Sequence, residues 1–353
     1  MKSQVYFIKV ETPDTEQRNL ALKRILQRIA PFLEYKKDEY VAIKLTIGDA
    51  SCTYNINPEF VKCIVAHLKA KGAKPFLFDT NVIYQGQRQN AIDHLNLVQA
   101  KGFGHSQVGA PFIIADGLFG QDGKVFEINA SHIKRIRVPS FIGMLDSLLV
   151  LSHATGHVIA GFAGAIKNVA MGMSCRSTKQ IEHSSLKPSV IEKNCNSCGC
   201  CIDICPVSAI SFKNKKANID PGLCIGCCDC ICACKFDAIF INWQEDALIF
   251  AKRMVEVANF ILSKFKNKFF ITFGFDITKD CDCVSTKSDK MISANLGILA
   301  SGDIVSLDKA TVDLANQNRE SSFLEDTKAV YKGMLEYATK CGMGSIEYNL
   351  INL

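Results

Sequence analysis

The chain has 353 residues, 48% of them hydrophobic and 22% charged, a balance that suits one large folded core with room for a small second module. No stretch approaches about 18 uncharged apolar residues, which excludes a helical membrane span, and the opening MKSQVYFIKVETPDTEQRN lacks the cationic-then-apolar order of a secretory leader, so the expected location is the cytoplasm. The formal charge of +6 comes without any block of five or more basic residues, so no nucleic-acid partner is expected.

Strand and helix signals alternate through residues 1–185. An apolar run at 5–10 leads to Thr12-Pro13, where a threonine N-cap and a proline at the first helical position open an amphipathic stretch to about Ile29. Residues 41–47 read as a buried strand, 58–71 as a helix ending at Gly72, and 75–79 as a strand. A helix is expected over 87–101 and a strand over 112–116. Asp79 and Asp116 end their strands, which suits ligand binding at the carboxyl edge of a parallel sheet and equally suits ordinary turn chemistry.

Residues 148–173, LLVLSHATGHVIAGFAGAIKNVAMGM, form the most suggestive host segment. A strand at 148–152 feeds a loop containing Gly161 and Gly164, two histidines (His153 and His157), Lys167 and Asn168. Glycines after a strand permit close backbone approach to a ligand, often an anion, while lysine and histidine can bind or protonate a substrate. The segment matches neither a Walker A loop nor a dinucleotide fingerprint, and a tight packing loop with structural histidines is the competing reading.

Eleven of the seventeen cysteines fall between Cys195 and Cys234. Cys195, Cys198, Cys201 and Cys205, followed by Pro206, have the C-x2-C-x2-C-x3-C-P spacing of bacterial ferredoxins. Cys224, Cys227, Cys230 and Cys234 repeat it at an offset of 29 residues, and Ala209-Ile210 recurs as Ala238-Ile239 at that offset. In such a duplicated module three close cysteines hold one cube and the fourth reaches the other. The expected ligand sets are Cys195, Cys198, Cys201 and Cys234 for one [4Fe–4S] cluster, and Cys224, Cys227, Cys230 and Cys205 for a second. Zinc sites instead use paired C-x2-C elements across a longer spacer. Cys200, Cys228 and Cys232 break the symmetry and are read as bystanders, and Lys235 replaces the second proline. Two clusters with their thiolates, each of net charge about −2, would bring the whole to about +2.

Beyond the module, 246–266 reads as a helix, 269–273 as a strand, 308–318 and 323–340 as helices, and 345–351 as a final strand. The fold class expected is an α/β host with a mostly parallel sheet, made of residues 1–185 and 246–353. Residues 186–245 are read as an inserted small α+β, two-cluster ferredoxin-like domain; three consecutive domains are the alternative. Cys281 and Cys283 form a further thiol site: reactive thiols, metal ligands or inert loop cysteines, since a disulfide across one intervening residue would be strained.

VAIKLTIGD (41–49), FDTNVIY (78–84), GAPFIIADG (109–117), LSHATGH with GFAGAIKNVAMGM, CDC (281–283) and GILASGDIVSLDKA (297–310) together resemble the domain of unknown function 362 family. Its members often carry a two-cluster ferredoxin insert at this place, and Ala163 stands where they often have glycine. The resemblance implies that GFAGAIKN and CDC are family features, and it supplies no catalytic assignment. The function expected is iron–sulfur electron transfer, either as an oxidoreductase whose clusters relay electrons to the host or as a carrier whose host only docks a partner. The expected partner is accordingly a redox protein or a small electron acceptor or donor. No flavin, nicotinamide or haem motif names a further cofactor.

Overall fold

The computed structural model describes residues 2–84, 86–183, 187–224, 230, 233–236, 238–240, 246–283, 290–317 and 327–353. Eight strands build one sheet: β1 (Ser3–Lys9), β2 (Tyr40–Lys44), β3 (Lys74–Asp79), β4 (Phe112–Ile114), β5 (Ser147–His153), β6 (Asn267–Gly274), β7 (Gly297–Ser301) and β8 (Tyr348–Asn352). Their order is β8-β1-β7-β6-β5-β2-β3-β4. Every pairing is parallel except those of β7, which runs antiparallel to both β1 and β6. The α/β class with a mostly parallel sheet is therefore what the chain adopts, and strands from both sides of the cysteine-rich region join one sheet.

Alternation within the strands separates two cores. Val5 and Phe7 of β1 face one side, with Leu148 and Val150 of β5, while Tyr6 and Ile8 face the other, with Leu149 and Leu151. Helices α1 (Thr15–Ile29), α2 (Pro58–Ala70) and α3 (Ala91–Ala100) cover the second face. The first is covered by α4 (Ala165–Gly172), α6 (Asp246–Ser263), α7 (Ile304–Gln317) and α8 (Lys328–Lys340), with α5 (Arg176–His183) packed beside α6. Burial on both faces explains why β5 carries no solvent-facing polar alternation.

Helix starts shift wherever a better side-chain cap lies nearby. α1 begins after Asp14, whose carboxylate accepts from the Gln17 amide at 2.7 Å, and not at Thr12-Pro13. α3 begins after Asn90, four residues later than the spacing predicts, because its side chain accepts from the Asp93 amide at 3.0 Å. α7 starts at Ile304 and not at Asp308, since Asp303 accepts from the Val305 and Ser306 amides at 2.9 and 3.0 Å. Asp308 is thereby carried to a buried position inside the helix. Strand β7, helix α5 and the hairpin of Gly123–Glu127 with Arg135–Pro139 were not assigned from the sequence.

The glycine-rich segment is more ordered than a loop: β5 runs into a short hairpin, Thr155–His157 with Gly161–Ala163, and then directly into α4. In the cysteine-rich region Ser189–Val190 pairs with Ile239–Phe240, and Ile210–Lys213 with Lys216–Ile219, all antiparallel. Among the described residues no helix is long and apolar enough to cross a membrane.

Candidate functional site

A cavity of about 190 Å³ opens where β2, β3 and β5 end, the carboxyl edge at which parallel sheets bind ligands. Lys44, the last residue of β2, is fully buried beneath it. Its ammonium donates to Asn168 Oδ1 at 2.8 Å and to the Leu45 carbonyl at 2.7 Å, and lies 3.1 Å from Asp79 Oδ1. Burial pulls the lysine down to about 8, only partly opposed by Asp79, while burial of Asp79 is outweighed by Lys44 and other cations that hold its carboxyl below the usual range. Arg88 and His94 each stand 3.9 Å from Asp79 Oδ2. Gly172 lets α4 rest on Lys44: a Cβ there would lie 2.2 Å from Lys44 Cε. Asn168 also donates to the Leu151 carbonyl at 2.8 Å and to Ser152 Oγ at 3.0 Å, tying α4 to the end of β5.

Lys167, one residue before Asn168, turns to the CDC loop that follows β6. Its Nζ lies 3.3 Å from Cys281 Sγ and 3.0 Å from Cys283 Sγ, and the two sulfurs are 2.6 Å apart. All three residues line the cavity. The hydrogen bond from Cys283 and the charge of Lys167 bring Cys281 down to about 6 against its burial. The same shared proton, with burial, pushes Cys283 up to about 12. Burial would lower Lys167, but the sulfurs outweigh it and hold the ammonium above its usual range. The arrangement favours a thiolate on Cys281 and a thiol on Cys283 beside the Lys167 ammonium.

The intervening Asp282 is clamped twice. Its carbonyl accepts from the Asp49 amide at 2.7 Å, and its carboxylate meets His153 Nδ1 at 2.9 and 3.1 Å. His153 Nε2 lies 2.7 Å from the Phe275 carbonyl, so both ring nitrogens face oxygen acceptors and the ring is a strut between β5 and the CDC loop. His157 is different: its Nδ1 accepts the amides of Ile159 and Ala160 at 3.1 and 3.0 Å, and burial followed by the charge of Lys167 lowers it to about 3. It is a neutral ring that shapes its turn and lines the cavity.

The amino end of α4 is capped from within the protein. Asp308 from α7 occupies it, accepting from the Ala165 and Ile166 amides at 2.8 and 3.0 Å. Gly164 is what permits this, since a Cβ would lie 2.4 Å from Asp308 Oδ1. Burial raises Asp308 to about 7, although those amides pull the other way. Between about pH 4 and 7 the folded protein therefore holds a proton that the unfolded chain has released, and this group's contribution to stability falls as pH rises across that window. Asp308→Asn is expected to show a larger stability deficit near about pH 5.5 than near about pH 8.5 in urea unfolding; equal deficits would sink the assignment.

Of the sequence-predicted residues, Asp79, His153, His157, Gly164, Lys167, Asn168, Cys281 and Cys283 meet at this cavity. Gly161 and Asp116 do not line it. Gly161 closes the hairpin with φ +79°, and Asp116 accepts from the Asn81 amide and side chain at 2.9 and 3.0 Å. Lys44, Arg88, Lys179 and Asp282 were not singled out from the sequence; a lysine inside the apolar run VAIKLTI was the available signal for Lys44.

Two further lining residues come from the cysteine-rich region: Ile204 and Ala233, which immediately precede Cys205 and Cys234. In that region Cys195, Cys198, Cys201 and Cys234 surround a second, smaller cavity, together with the exposed Cys200. The Ala209 amide donates to Cys205 Sγ at 3.2 Å and the Ala238 amide to Cys234 Sγ at 3.3 Å, a symmetric pair of bonds 29 residues apart. Cys201 and Cys230 share a small apolar core with Ile210 and Ile239. A set of thiols with amide donors to sulfur is the donor chemistry an iron–sulfur cube requires, so the residues present fit it. Cys224 and Cys230 are described, whereas Cys227, Cys228 and Cys232 lie outside the described residues.

The profile of the family described as Domain of unknown function (DUF362) matches residues 41–313. Protein NrfC of Escherichia coli K12 is 38% identical over 72 residues, 19% of this chain and 32% of that protein, and Protein NrfC of Shigella flexneri aligns with the same figures. The chain thus spans about a third of the length of the curated relatives it matches. The lactate racemase apoprotein from Thermoanaerobacterium thermosaccharolyticum superposes with a TM-score of 0.40 at 12% identity, over 77% of this chain and 51% of that one. A protein from Thermotoga maritima superposes at 0.45 and 10% identity, over 95% and 61%.

Proposed function

The chain belongs to the DUF362 family, and we propose that it is an iron–sulfur electron-transfer protein, an oxidoreductase in which electrons reach a substrate or second cofactor in the cavity at the sheet edge. The observation that carries this reading is the shared wall: Ile204 and Ala233 line the same cavity as Lys167, Cys281 and Cys283. Two [4Fe–4S] clusters, held by Cys195, Cys198, Cys201 and Cys234 and by Cys224, Cys227, Cys230 and Cys205, would supply one-electron transfer when bound.

The chain's own residues account for the rest. Lys167 holds an ammonium beside the two sulfurs, where it can neutralise negative charge that develops on a reduced substrate. Lys44, Asp79 and Asn168 form a fixed polar floor, and His157, Val158 and Ile159 form another side of the cavity. His153 keeps Asp282, and with it the CDC loop, in register with Lys167.

Dithionite-reduced protein mixed with a panel of small electron acceptors tests the proposal, with benzyl viologen as an acceptor that needs no cavity. Lys167→Ala is expected to slow reoxidation by a productive acceptor about 100-fold or more while leaving the viologen rate unchanged. Reoxidation by protein partners alone, with Lys167→Ala silent, would replace the enzyme by a carrier whose host only docks its partner.

A further inference from the structure

Resting on the electron-transfer reading above, we propose that Cys281 and Cys283 form a dithiol–disulfide couple, the two-electron station at which singly delivered electrons are collected in the host sheet. Three observations lead there. The two sulfurs are in direct contact, with no group between them, so each is within reach of the other for a bond of about 2.05 Å. The residue between them is pinned through its backbone to Asp49 and through its carboxylate to His153, which leaves the flanking side chains directed to one lysine. The pair lines a cavity that also touches Ile204 and Ala233, next to Cys205 and Cys234.

A metal site fits less well. The ammonium of Lys167 already stands against both sulfurs, where a cation would have to sit. The strain of a bridge across one intervening residue, which argues against a permanent disulfide, favours a cycling one: strained disulfides are the oxidising, labile members of their class.

Reduction breaks the S–S bond. Two electrons, one from each reduced cluster, and one proton from solvent yield Cys281 as thiolate and Cys283 as thiol, and each cluster is oxidised by one electron. Lys167 keeps its proton and neutralises the thiolate. The lowered Cys281 and raised Cys283 agree with a product that retains a single proton. Oxidation is the reverse, with both electrons leaving to a two-electron acceptor such as a small disulfide.

The full-length holoprotein, oxidised anaerobically with dithiodipyridine and desalted, is titrated with dithionite while EPR follows the clusters. Parallel samples are acid-quenched, alkylated with iodoacetamide and digested. The peptide carrying Cys281 and Cys283 is expected to pass from bridged to doubly alkylated, and the protein to consume about two electrons more per chain than Cys281→Ser/Cys283→Ser, whose cluster signals match the parent's. Cycling of that peptide with dithiothreitol reads the couple without the clusters, and iron content with EPR reads the clusters without the couple. A peptide doubly alkylated at every point, with equal electron uptake in both proteins, would overturn the proposal even where both clusters are present.

Discussion

Anaerobically reconstituted Cys198→Ser protein is expected to hold about half the iron and acid-labile sulfide of the parent, and to lose the spin–spin broadening that two neighbouring reduced clusters produce in EPR. Cys198 is the informative member of its set because it is exposed. Serine there removes a ligand without opening a hole in the small core of Cys201, Cys230, Ile210 and Ile239, so loss of iron cannot be ascribed to lost packing. Cys200 supplies the control: it is also exposed and lines the same small cavity, but falls outside the 29-residue repeat. Cys200→Ser is expected to keep the parent's iron content and spectrum. If both variants lose iron equally, or neither does, the ligand set built on Cys195, Cys198, Cys201 and Cys234 is wrong.

Lys44→Met is expected to cost about 3–5 kcal/mol in urea unfolding, because it removes one partner of a buried ion pair and leaves the other in place. Methionine keeps the volume of the lysine stem, so the loss measures charge and not a cavity. Asp79 would retain the Thr80 amide at 2.9 Å, with Arg88 and His94 at 3.9 Å. Burial lowers His94 to about 3, so that ring is neutral and cannot replace the lost cation. Without Lys44 the carboxyl loses the largest charge that holds its pKa down, so that pKa rises. The penalty is then present at neutral pH and is relieved as pH falls through the raised pKa. A second substitution tests the account: Lys44→Met with Asp79→Asn removes both charges and should be less destabilising than Lys44→Met alone. A double variant as unstable as the sum of the two singles would mean that the pair is not coupled.

The cysteine-rich module was legible because its repeat is written in short-range spacing. Four cysteines within eleven residues, twice at one offset, define a local loop whatever surrounds it. The strand–helix alternation was legible for a similar reason, since burial of β5 on both faces leaves a continuous apolar run. Boundaries were less so: caps by Asp14, Asn90 and Asp303 compete with neighbours of similar propensity, and the winner depends on how the chain enters each helix.

The sequence by itself determined which residues are chemically unusual: the duplicated cysteines, the lysine and glycines after β5, and the CDC pair. It could not determine their distances, because Lys167 and Cys283 are 116 residues apart and meet only when β5 and β6 pair in parallel. Tertiary packing also reassigned roles. Gly164 admits Asp308, 144 positions further along the chain, because a buried helix terminus must be satisfied and the carboxyl group of α7 satisfies it. His153 became a strut through Asp282, and Lys44 the buried floor of the cavity through Asp79. Such pairings depend on strand order and register, which bring distant residues together at one sheet edge and which no local pattern encodes.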